Sequence, residues 1–567
     1  MSNQKENPVY EKLLKIRESE SVSLKPCKFL RETLITHEGD EVDFNLRTYQ
    51  VQMVYHMLMM KNFVCGDDTG LGKTLETIAT LCYLWEKEPD LRPIVLTTTS
   101  AMRQWGGEID KFTDNVDWVI AEGGPSDRAE VYEDYFSSWN PERPRVLIMN
   151  YPRLRRDWRD EIRDYLDSDD IRVVMIGDEA TAFKSTSSKT HKVCKQLAEK
   201  SERVYGLTAT LIKNNLEEGY GIYKVVNPDI FRTKTGFLSN YCVTRLQPIG
   251  GGRKVKVIVG HSKDHINLFK SKIDPYYLGR AKHHVAKELP LLTTKEVSVP
   301  MSYDQWDYYT EALTGLLTVN QGTEDEEEKE TTKLTQLIYC QQIANDPYLI
   351  GNEGEAKKVD LLMDMIEGEF SEQKVIVFSR FRKMVDRFQE ILESKGFEYA
   401  VDTNDDGNYV PKAGVDKGFA RVTGSEDGNE RDAGRIAFTE TEETNIIFLT
   451  MAGAEAMNLQ QAQVMIFFDL PWSAGDYLQL VGRMIRIGSP HQNVYAIHLI
   501  SEGPFGDLTI DHHVTKTLDK KMGFIEGALG ERIVGNENDE QVFEFESDTG
   551  DIFASMLRDA EKRMGSE

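Results

Sequence analysis

Hydrophobic positions along the chain alternate with polar ones in two regions, one between residues 46 and 227 and one beginning after residue 352. In both regions, short apolar runs are separated by helix-like segments. The apolar runs lie at residues 94–97, 146–149 and 173–176 in the first region, and at 374–378, 446–449, 464–468 and 494–499 in the second. Strands that alternate with helices are typical of parallel α/β sheets. The sequence therefore predicts an α/β fold with two parallel-sheet lobes in tandem.

The remaining stretches indicate where these lobes begin and end. Residues 229–352 have a helical and irregular pattern, and residues 402–417 are rich in Asn, Asp and Gly, as expected of a surface insertion. We predict five segments: a helical lead-in at 1–45, a first lobe at 46–228, helical linkers or insertions at 229–352, a second lobe at 353–505, and a C-terminal helix with an acidic tail at 506–567.

The composition is that of a packed protein and shows no sign of secretion or of a membrane span. Hydrophobic residues make up 40% of the chain, yet no segment approaches the roughly 20 consecutive apolar residues that a spanning helix needs. The six cysteines form no Cys-x-x-Cys pair, and the N-terminal residues lack the apolar core of a signal peptide. We therefore expect reduced thiols, no membrane partner, and a cytoplasmic location (in a bacterium or a virus-infected cell) or a nuclear one.

The formal net charge of −26 is unusual for a nucleic-acid-binding protein, because such proteins ordinarily present a basic surface. Much of the excess is local, in acidic runs at residues 324–330 and 536–551. Such runs are most often solvated loops or tails. Net charge therefore neither supports nor excludes DNA as a partner.

A phosphate-binding loop is indicated between an apolar run at 63–65 and a following helical stretch. The loop ends in Gly-Leu-Gly-Lys-Thr at 70–74, and backbone N–H groups at such a helix N-terminus cradle phosphates. Lys73 would supply charge to the β- and γ-phosphates, and the Thr74 hydroxyl would be a ligand of Mg²⁺. Asp67 occupies the position of the first glycine in the general pattern, so an ordinary glycine turn stays open as the alternative.

A second nucleotide-binding element follows at residues 173–179. The apolar run Val-Val-Met-Ile-Gly at 173–177 delivers two carboxylates, Asp178 and Glu179, to the end of a predicted strand. Ligands of open parallel sheets bind outside the carboxyl ends of the strands. Asp178 would hold Mg²⁺, directly or through water, and Glu179 would orient or deprotonate the attacking water. An acidic turn is the simpler interpretation of this pair alone, and its position after a P-loop favours the nucleotide site.

With both elements in place, the chain resembles a known family. The stretch Asp-Glu-Ala-Thr-Ala-Phe-Lys-Ser at 178–185 is similar to the DEAH-type box of the SWI/SNF-like ATPases of helicase superfamily 2, whose P-loop also carries the aspartate found at position 67. Other motifs of that family are matched in order: the Q-type motif at 46–50, motifs Ia at 97–105, Ib at 148–151 and III at 207–215, two signatures at 278–290 and 341–349, and motifs IV at 375–381, V at 450–459 and VI at 479–488. The resemblance implies two RecA-like lobes with helical insertions, and hydrolysis of ATP with Mg²⁺.

The resemblance also assigns residues to the nucleotide site. Gln50 would read the adenine, and the phosphate loop would comprise Asp68, Gly70, Gly72, Lys73 and Thr74. Thr208 and Thr210 of motif III would couple the nucleotide site to DNA. Arg483 and Arg486 of motif VI, three apart and therefore on one face of a predicted helix, would act as arginine fingers, which can be worth about 10³ to 10⁵ in rate. Two solvent-exposed arginines are the alternative.

Three positions depart from the family pattern. Thr181 replaces the histidine that follows Asp-Glu-Ala, and Ser489 stands where the family usually has glutamine. Motif V, Thr-Met-Ala-Gly-Ala-Glu-Ala-Met-Asn-Leu at 450–459, has lost most of its glycines, although Asn458 and Leu459 remain. These changes bear on coupling between motifs and leave the ATPase residues intact.

Candidate nucleic-acid contacts come from the same motifs, because phosphate contacts need hydrogen-bond donors of many kinds. They are Thr98, Ser100, Gln104, Asn150, Lys184, Arg380, Thr450 and Trp472. Trp472 matches a family position near the DNA groove, and ordinary packing within the protein is its alternative role.

The hypothesis from sequence is a DNA-stimulated ATPase, acting as a monomer, that translocates on double-stranded or branched DNA and remodels it or displaces a bound protein or polymerase. One alternative is a strand-separating or fork-remodelling helicase of repair or replication. Another is a non-catalytic scaffold that binds DNA or protein only. The presence of Lys73, Glu179 and Arg483 argues against the scaffold.

Overall fold

The structure is a computed structural model, and it describes residues 8–19, 21–35, 40–99, 101–167, 170–212, 215–248, 254–281, 289–314, 333–453, 457–486, 489–529 and 543–544. The chain divides into two compact units. The first comprises Met1–Lys287 with Ile525–Phe543, and the second comprises Glu288–Phe524 with Glu544–Glu567.

The first unit is built on a seven-stranded parallel sheet with the strand order β11-β3-β8-β7-β4-β6-β5. The strands of the unit are β1 Thr33–Ile35, β2 Glu41–Asp43, β3 Asn62–Cys65, β4 Leu91–Thr97, β5 Asp117–Ile120, β6 Arg145–Asn150, β7 Arg172–Asp178, β8 Arg203–Leu207, β9 Val243–Pro248, β10 Lys254–His261 and β11 Tyr277–Leu278. Strands β1 and β2 pair antiparallel, as do β9 and β10, outside this sheet. The central strands β4 and β7 are buried along nearly their whole length, which explains why their apolar runs are continuous.

Helices connect these strands. They are Pro8–Arg17, Thr48–Met59, Lys73–Trp85, Ala101–Phe112, Pro125–Ser137, Tyr151–Asp157, Arg163–Leu166, Lys189–Lys200, Leu216–Val226, Lys234–Tyr241 and Lys263–Ile273, with a π-helical turn at Trp158–Ile162 and 3₁₀ turns at Ala180–Phe183 and Asp274–Tyr276. Because all strands of the sheet are parallel, the loops that follow β3, β8 and β7 leave the sheet at the same edge. The predicted phosphate loop, Asp178 and Glu179 lie at this edge.

The second unit repeats the plan with a parallel sheet of order β12-β20-β19-β13-β18-β17-β14. Its strands are β12 Leu291–Pro300, β13 Val375–Phe378, β14 Glu398–Tyr399, β15 Val401–Thr403, β16 Tyr409–Pro411, β17 Gly418–Val422, β18 Thr444–Leu449, β19 Val464–Phe467 and β20 Asn493–Glu502, and a short strand β21, Phe543–Glu544, follows later in the chain. Its helices are Tyr303–Thr314, Lys333–Asn345, Lys357–Glu367, Arg382–Ser394, Gly428–Glu440, Ala474–Val481 and Ile510–Leu529, which begins in this unit, with a 3₁₀ turn at Pro347–Ile350.

In the core of the second unit, apolar residues with helical spacing pack one helix against the sheet. Helix Arg382–Ser394 buries Met384, Val385, Phe388 and Leu392, an apolar stripe with the spacing of one helical face. The Phe388 ring stacks on Phe448 of β18, with 5.2 Å between the ring centroids. The burial of Phe388 and its contact with Phe448 hold the helix against the sheet.

The predicted α/β fold with two parallel-sheet lobes is confirmed. Two regions contain strands that the sequence pattern did not predict: the lead-in at 1–45 includes β1 and β2, and residues 229–352 include β9, β10, β11 and β12. The stretch 402–417 includes part of the antiparallel pair β15–β16. The proposed segment boundaries stay predictions, and the acidic runs at 324–330 and in the tail lie outside the described residues. In the part of the chain that the structure describes, no helix is long and apolar enough to cross a membrane.

Candidate nucleotide site and nucleic-acid interface

The predicted phosphate loop connects β3 to helix Lys73–Trp85. Gly70 and Gly72 have φ angles of 87° and 94°, in the left-handed region that glycine adopts without strain. A Cβ atom on Gly72 would also lie 2.7 Å from the Gln50 amide nitrogen. The left-handed backbone therefore favours glycine at position 72, and the chain can turn there to present N–H groups at the helix start.

Lys73 lies back over the loop that precedes it. Its Nζ donates to the carbonyl oxygens of Asp67 and Asp68, at 2.8 and 3.3 Å. The side chain is only half-buried. Phosphate oxygens could replace these carbonyls as acceptors, which suits the role predicted for Lys73.

Gln50 packs against the phosphate loop and is 5% exposed. Its amide nitrogen donates to the carbonyl of Leu71 at 3.1 Å, and its amide oxygen accepts from the backbone N–H of Arg47 at 3.0 Å. Tyr49 donates its hydroxyl to the same Leu71 carbonyl at 3.0 Å. The helix Thr48–Met59 is therefore tied to the loop through two side chains, and the adenine-reading role of Gln50 stays a prediction.

Asp178 ends β7, and its carboxylate is held by two residues of motif Ia that sequence reasoning did not connect with Asp178. The Asp178 Oδ2 atom accepts from the Thr97 hydroxyl and from the Trp105 indole N–H, each at 2.8 Å. Tyr151 donates its hydroxyl to the Asp178 carbonyl at 2.6 Å. The missing signal was the pairing of β4 with β7, because that register brings the end of β4 beside Asp178. The hydrogen bonds from Thr97 and Trp105 orient the Asp178 carboxylate, and carboxylates that ligate a metal are commonly oriented in this way.

Glu179 has an unusual backbone. Its φ of 53° lies in the left-handed region, and it is one of two non-glycine residues with positive φ in the described part of the chain. Such a conformation costs on the order of 1–3 kcal/mol and tends to occur at functional sites. The turn Ala180–Phe183 follows directly, so Thr181 lies in a 3₁₀ turn immediately behind the two carboxylates.

Thr208 lies between the two nucleotide elements. Strand β8 runs between β3 and β7, and Leu207 is in register with both Cys65 and Asp178. The Thr208 N–H donates to the Cys65 carbonyl at 3.0 Å, and its hydroxyl accepts from the Thr210 N–H at 3.1 Å. Neighbouring strands in a sheet are about 4.8 Å apart, so the phosphate loop, Thr208 and Asp178 follow one another along one edge.

The residues present fit a nucleotide with a divalent cation. The loop offers a backbone cradle with a lysine, and Thr74 and Asp178 offer the oxygen donors that Mg²⁺ prefers. Among the described residues no group of three or more His, Cys, Asp or Glu side chains forms a metal site by itself.

Two predicted DNA contacts in the first unit have partners within the protein. Asn150 caps helix Tyr151–Asp157 by accepting from the Arg153 N–H at 2.9 Å, and it donates to the Thr99 hydroxyl at 2.9 Å. Lys184 forms an ion pair with Glu218 at 2.6 Å. Thr98 and Gln104 are half-buried, and Ser100 lies outside the described residues. Their DNA roles stay predictions.

Two further predicted DNA contacts come together in the second unit. The Arg380 guanidinium lies over the Trp472 ring, 4.8 Å from its centroid. Gln341 joins the pair, because its amide oxygen accepts from both the Arg380 guanidinium and the Trp472 indole, the latter at 3.0 Å. Gln341 is fully buried, and its amide nitrogen has no hydrogen-bond partner among the described residues. We call Arg380, Trp472 and Gln341 the tryptophan platform.

A buried polar network contacts the tryptophan platform through the backbone of Arg380. Asp469 is fully buried and accepts from the Ser379 hydroxyl at 2.6 Å, from the Arg380 N–H at 2.9 Å and from the Asn345 amide at 2.8 Å. The Asn345 amide oxygen lies 3.4 Å from Lys358 Nζ. Lys358 is 1% exposed and pairs with Asp511 at 2.8 Å. The network links the strand ends to helices Lys333–Asn345, Lys357–Glu367 and Ile510–Leu529.

The helical placement of Arg483 and Arg486 is wrong. Helix Ala474–Val481 ends before them, with Gly482 at its C-cap, and residues 482–486 form a turn. Arg483 is 5% exposed, and its guanidinium lies 3.4 Å from the Met457 carbonyl. The two arginines are therefore positioned by a turn that packs on motif V, and their role at the γ-phosphate stays a prediction.

Gly453 of motif V lies at a position that leaves no room for a side chain. A Cβ atom on Gly453 would lie 1.9 Å from the Val422 carbonyl oxygen, so no larger residue fits. Thr450, a predicted DNA contact, is 6% exposed and donates its N–H to the same Val422 carbonyl at 3.3 Å. Asn458 has a buried side-chain oxygen without a hydrogen-bond partner among the described residues.

Two protein-family models match the chain. The SNF2-related domain matches residues 47–349, and the helicase conserved C-terminal domain matches residues 357–488. Chromodomain-helicase-DNA-binding protein 1-like of Mus musculus is 28% identical over 473 residues, which cover 80% of this chain and 47% of that protein. The ISWI chromatin-remodeling complex ATPase ISW1 of Saccharomyces cerevisiae is 25% identical over 499 residues, which cover 84% of this chain and 40% of that protein.

The chain thus spans less than half the length of these two curated relatives. Among solved structures, the Sulfolobus solfataricus SWI2/SNF2 ATPase core in complex with dsDNA matches at 22% identity with a TM-score of 0.39, covering 89% of this chain and 98% of that one. The SNF2-related domain alone accounts for more than half of the chain. The chain therefore belongs to the SNF2-related family of superfamily 2 ATPases.

Proposed function

We propose that the chain is a DNA-stimulated ATPase that translocates on duplex DNA and remodels the DNA or displaces a protein bound to it. The observation that carries the proposal is the order along one sheet edge of the first unit: phosphate loop, Thr208, then Asp178 and Glu179. This arrangement places a candidate lysine, a candidate metal ligand and a candidate base on adjacent loops. Membership of an ATPase family supports the same assignment.

The candidate site residues of the first unit have different tasks in this proposal. Lys73 would leave the carbonyls of Asp67 and Asp68 and donate to phosphate oxygens instead. Thr74 and Asp178 would hold Mg²⁺, which supplies charge neutralisation at the phosphates. Thr97 and Trp105 would keep the Asp178 carboxylate oriented.

Glu179 would accept a proton from the attacking water or orient it. Its left-handed backbone sends the chain into the Ala180–Phe183 turn directly after the carboxylate. In the second unit, Arg483 and Arg486 would bind the γ-phosphate, as arginine fingers do. ATP and Mg²⁺ are thus the proposed cofactors.

The nucleic-acid partner is inferred from the second unit. An arginine stacked on a tryptophan combines a hydrogen-bond donor for phosphate oxygens with an aromatic face, and both are common in nucleic-acid recognition. The names of two relatives, a DNA-binding protein and a chromatin-remodeling ATPase, point in the same direction. We propose double-stranded or branched DNA as the substrate, a monomeric enzyme, and a cytoplasmic or nuclear location.

The central test is ATP hydrolysis by the full chain with and without duplex DNA. We expect DNA to raise the turnover number, and an unchanged rate would contradict the proposal. A third-strand displacement assay and a duplex-unwinding assay then distinguish two modes of action. Displacement of the third strand without unwinding is expected, whereas unwinding would favour the strand-separating helicase.

A further inference from the structure

Asp67, the residue that departs from the general phosphate-loop pattern, is a fully buried carboxylate beneath the loop. Its partner is Arg280, which is more than two hundred residues away in sequence. The Arg280 Nε donates to Asp67 Oδ1 at 2.9 Å, and Nη2 forms a second bond to Oδ2. The Arg280 backbone N–H donates to the same Oδ1 at 3.1 Å. Three donors from one residue thus neutralise and orient Asp67.

The remaining donors of Arg280 reach the elements on either side of the loop. The Nη1 atom bonds the Tyr49 carbonyl and lies 3.3 Å from the Gln52 amide oxygen, both on helix Thr48–Met59. The Nη2 atom lies 3.5 Å from Glu76, a second fully buried carboxylate one turn inside helix Lys73–Trp85. Burial, followed by the charge of Asp67, raises the pKa of Glu76 well above its usual value. The Arg280 guanidinium therefore contacts both buried carboxylates.

Backbone contacts fix Arg280 itself. Strand β11 pairs with β3, the Gly66 N–H donates to the Leu278 carbonyl at 2.7 Å, and the Asp68 N–H donates to the Arg280 carbonyl at 3.1 Å. The Tyr277 ring packs so closely on Gly66 that a Cβ atom there would lie 2.3 Å from it. The backbone of residues 66–68 is thus held along its length by residues 277–280.

These contacts bear on Lys73, whose Nζ rests on the carbonyls of Asp67 and Asp68. If Arg280 were absent, the buried Asp67 carboxylate would lack its countercharge, and Lys73 is the nearby cation that could supply it. A lysine recruited by Asp67 would be withdrawn from phosphate. The same loss would release the two carbonyls from their fixed positions.

We propose that Arg280 is a positioning residue of the nucleotide site, which acts through Asp67 to keep Lys73 available for phosphate. This inference rests on the proposed function, because it assumes that Lys73 binds the phosphates of ATP. It assigns a role to a residue outside the nucleotide motifs, in the stretch 278–290 that sequence reasoning identified only as a family signature.

The test measures the dissociation constant of a fluorescent ATP analogue for the full chain in a double-mutant cycle. The variants are Lys73→Ala, Arg280→Ala and the two combined. We expect Arg280→Ala to weaken binding on the order of tenfold when Lys73 is present and to have no further effect when Lys73 is absent. A residue that merely stabilises the fold would weaken binding equally in both backgrounds, and that result would overturn the proposal.

Further variants separate charge from folding. Arg280→Lys keeps the charge without the two-point contact, so its affinity should fall between those of wild type and Arg280→Ala. Asp67→Asn combined with Arg280→Ala removes the carboxylate that competes for Lys73, and it should bind more tightly than Arg280→Ala alone. Arg232→Ala, at an exposed position, is the control and should bind as wild type does. If Arg280→Ala does not fold, the Arg280→Lys and combined Asp67→Asn variants carry the test.

The outcomes distinguish this inference from the proposed function. A wild-type chain that binds no analogue would refute the nucleotide site as a whole. Normal binding by wild type, weak binding by Lys73→Ala and unchanged binding by Arg280→Ala would refute the role of Arg280 alone. No gain in affinity from adding Asp67→Asn to Arg280→Ala would likewise contradict it.

Discussion

The two units share a seven-stranded parallel sheet but use their polar residues differently. In the first unit, the candidate catalytic groups Lys73, Asp178 and Glu179 are half-buried, and short hydrogen bonds orient Lys73 and Asp178. In the second unit, a continuous buried polar network runs from Asp469 to Asp511, and Arg380 and Trp472 beside it are partly exposed. The same sheet plan therefore carries half-buried polar groups in one unit and a buried polar network in the other.

This difference predicts that substitutions at Lys73, Asp178 and Glu179 affect turnover, whereas substitutions in the buried network and the tryptophan platform affect stability and DNA binding. Half-buried groups held by one or two hydrogen bonds can be replaced with little loss of folding free energy. Buried paired charges cannot, because the remaining partner is left without its countercharge.

Glu179→Gln should produce the largest effect on turnover. The amide cannot accept a proton, and general-base catalysis contributes about 10²- to 10⁴-fold, so hydrolysis should fall by that factor. ATP affinity and the melting temperature should stay close to wild type, because the substitution preserves size and backbone. The measurements are DNA-stimulated hydrolysis and binding of an ATP analogue. Glu133→Gln, at an exposed position, is the control, and near-normal turnover in Glu179→Gln would move the base elsewhere.

Lys358→Ala should produce the largest effect on stability. It leaves Asp511 buried at 2% exposure without its partner, and breaking such a pair typically costs about 3–5 kcal/mol. Urea unfolding should show this loss in the second unit, while affinity for the ATP analogue, a property assigned to the first unit, should change little. The adjacent Lys357→Ala is the matched control. Equal losses in the two variants would show that the buried network is not what stabilises this unit.

Gln341→Ala should produce a smaller loss of stability together with a fall in DNA affinity. It removes the acceptor shared by Arg380 and Trp472 at a fully buried position, and a buried donor left without its acceptor costs about 1–3 kcal/mol. We expect affinity for duplex DNA to fall by roughly threefold to tenfold, comparable to the loss of one hydrogen bond. Fluorescence anisotropy with labelled duplex measures this. A fall in ATP affinity instead would contradict the division of tasks.

Lowering the pH should give the smallest of these effects, a loss of folding stability that differs between the two units. Burial lowers the pKa of His56 to about 3 and of His261 to about 4 in the first unit, and of His498 to about 4 in the second. Since unfolded histidine titrates near 6.5, the unfolded state gains protons first as the pH falls, and stability is lost between about pH 6.5 and 4. Each histidine contributes at most about 1.4 kcal/mol per pH unit. Urea unfolding at about pH 7 and about pH 5 should show a larger loss in the first unit, and a larger loss in the second would contradict this.

Sequence alone predicted those features that depend on local order. The β-branched runs and the strand–loop–helix order at 63–85 correctly gave two parallel sheets and placed Lys73 at a helix start. The hydrogen bonds from Thr97 and Trp105 to Asp178 were beyond reach, because they depend on which strand lies beside β7. The same is true of Arg280, whose partner Asp67 becomes a neighbour only through the pairing of β11 with β3.

The errors have local causes. Arg483 and Arg486 were assigned to a helix because their spacing of three suits one, but the helix ends at Val481, with Gly482 as its C-cap. Strand β12 lies in a region predicted to be helical. Its sequence at 291–300 contains threonine and valine at a density that favours a strand, and its pairing with β20 then fixes it.

The left-handed backbone at Glu179 has an evolutionary consequence. Glycine adopts this conformation without strain, so random substitution of Glu179 by glycine would stabilise the fold while removing the candidate base. A substitution that relieves the backbone at this position therefore also removes the candidate base. A relative that carried glycine here would keep the turn without that carboxylate.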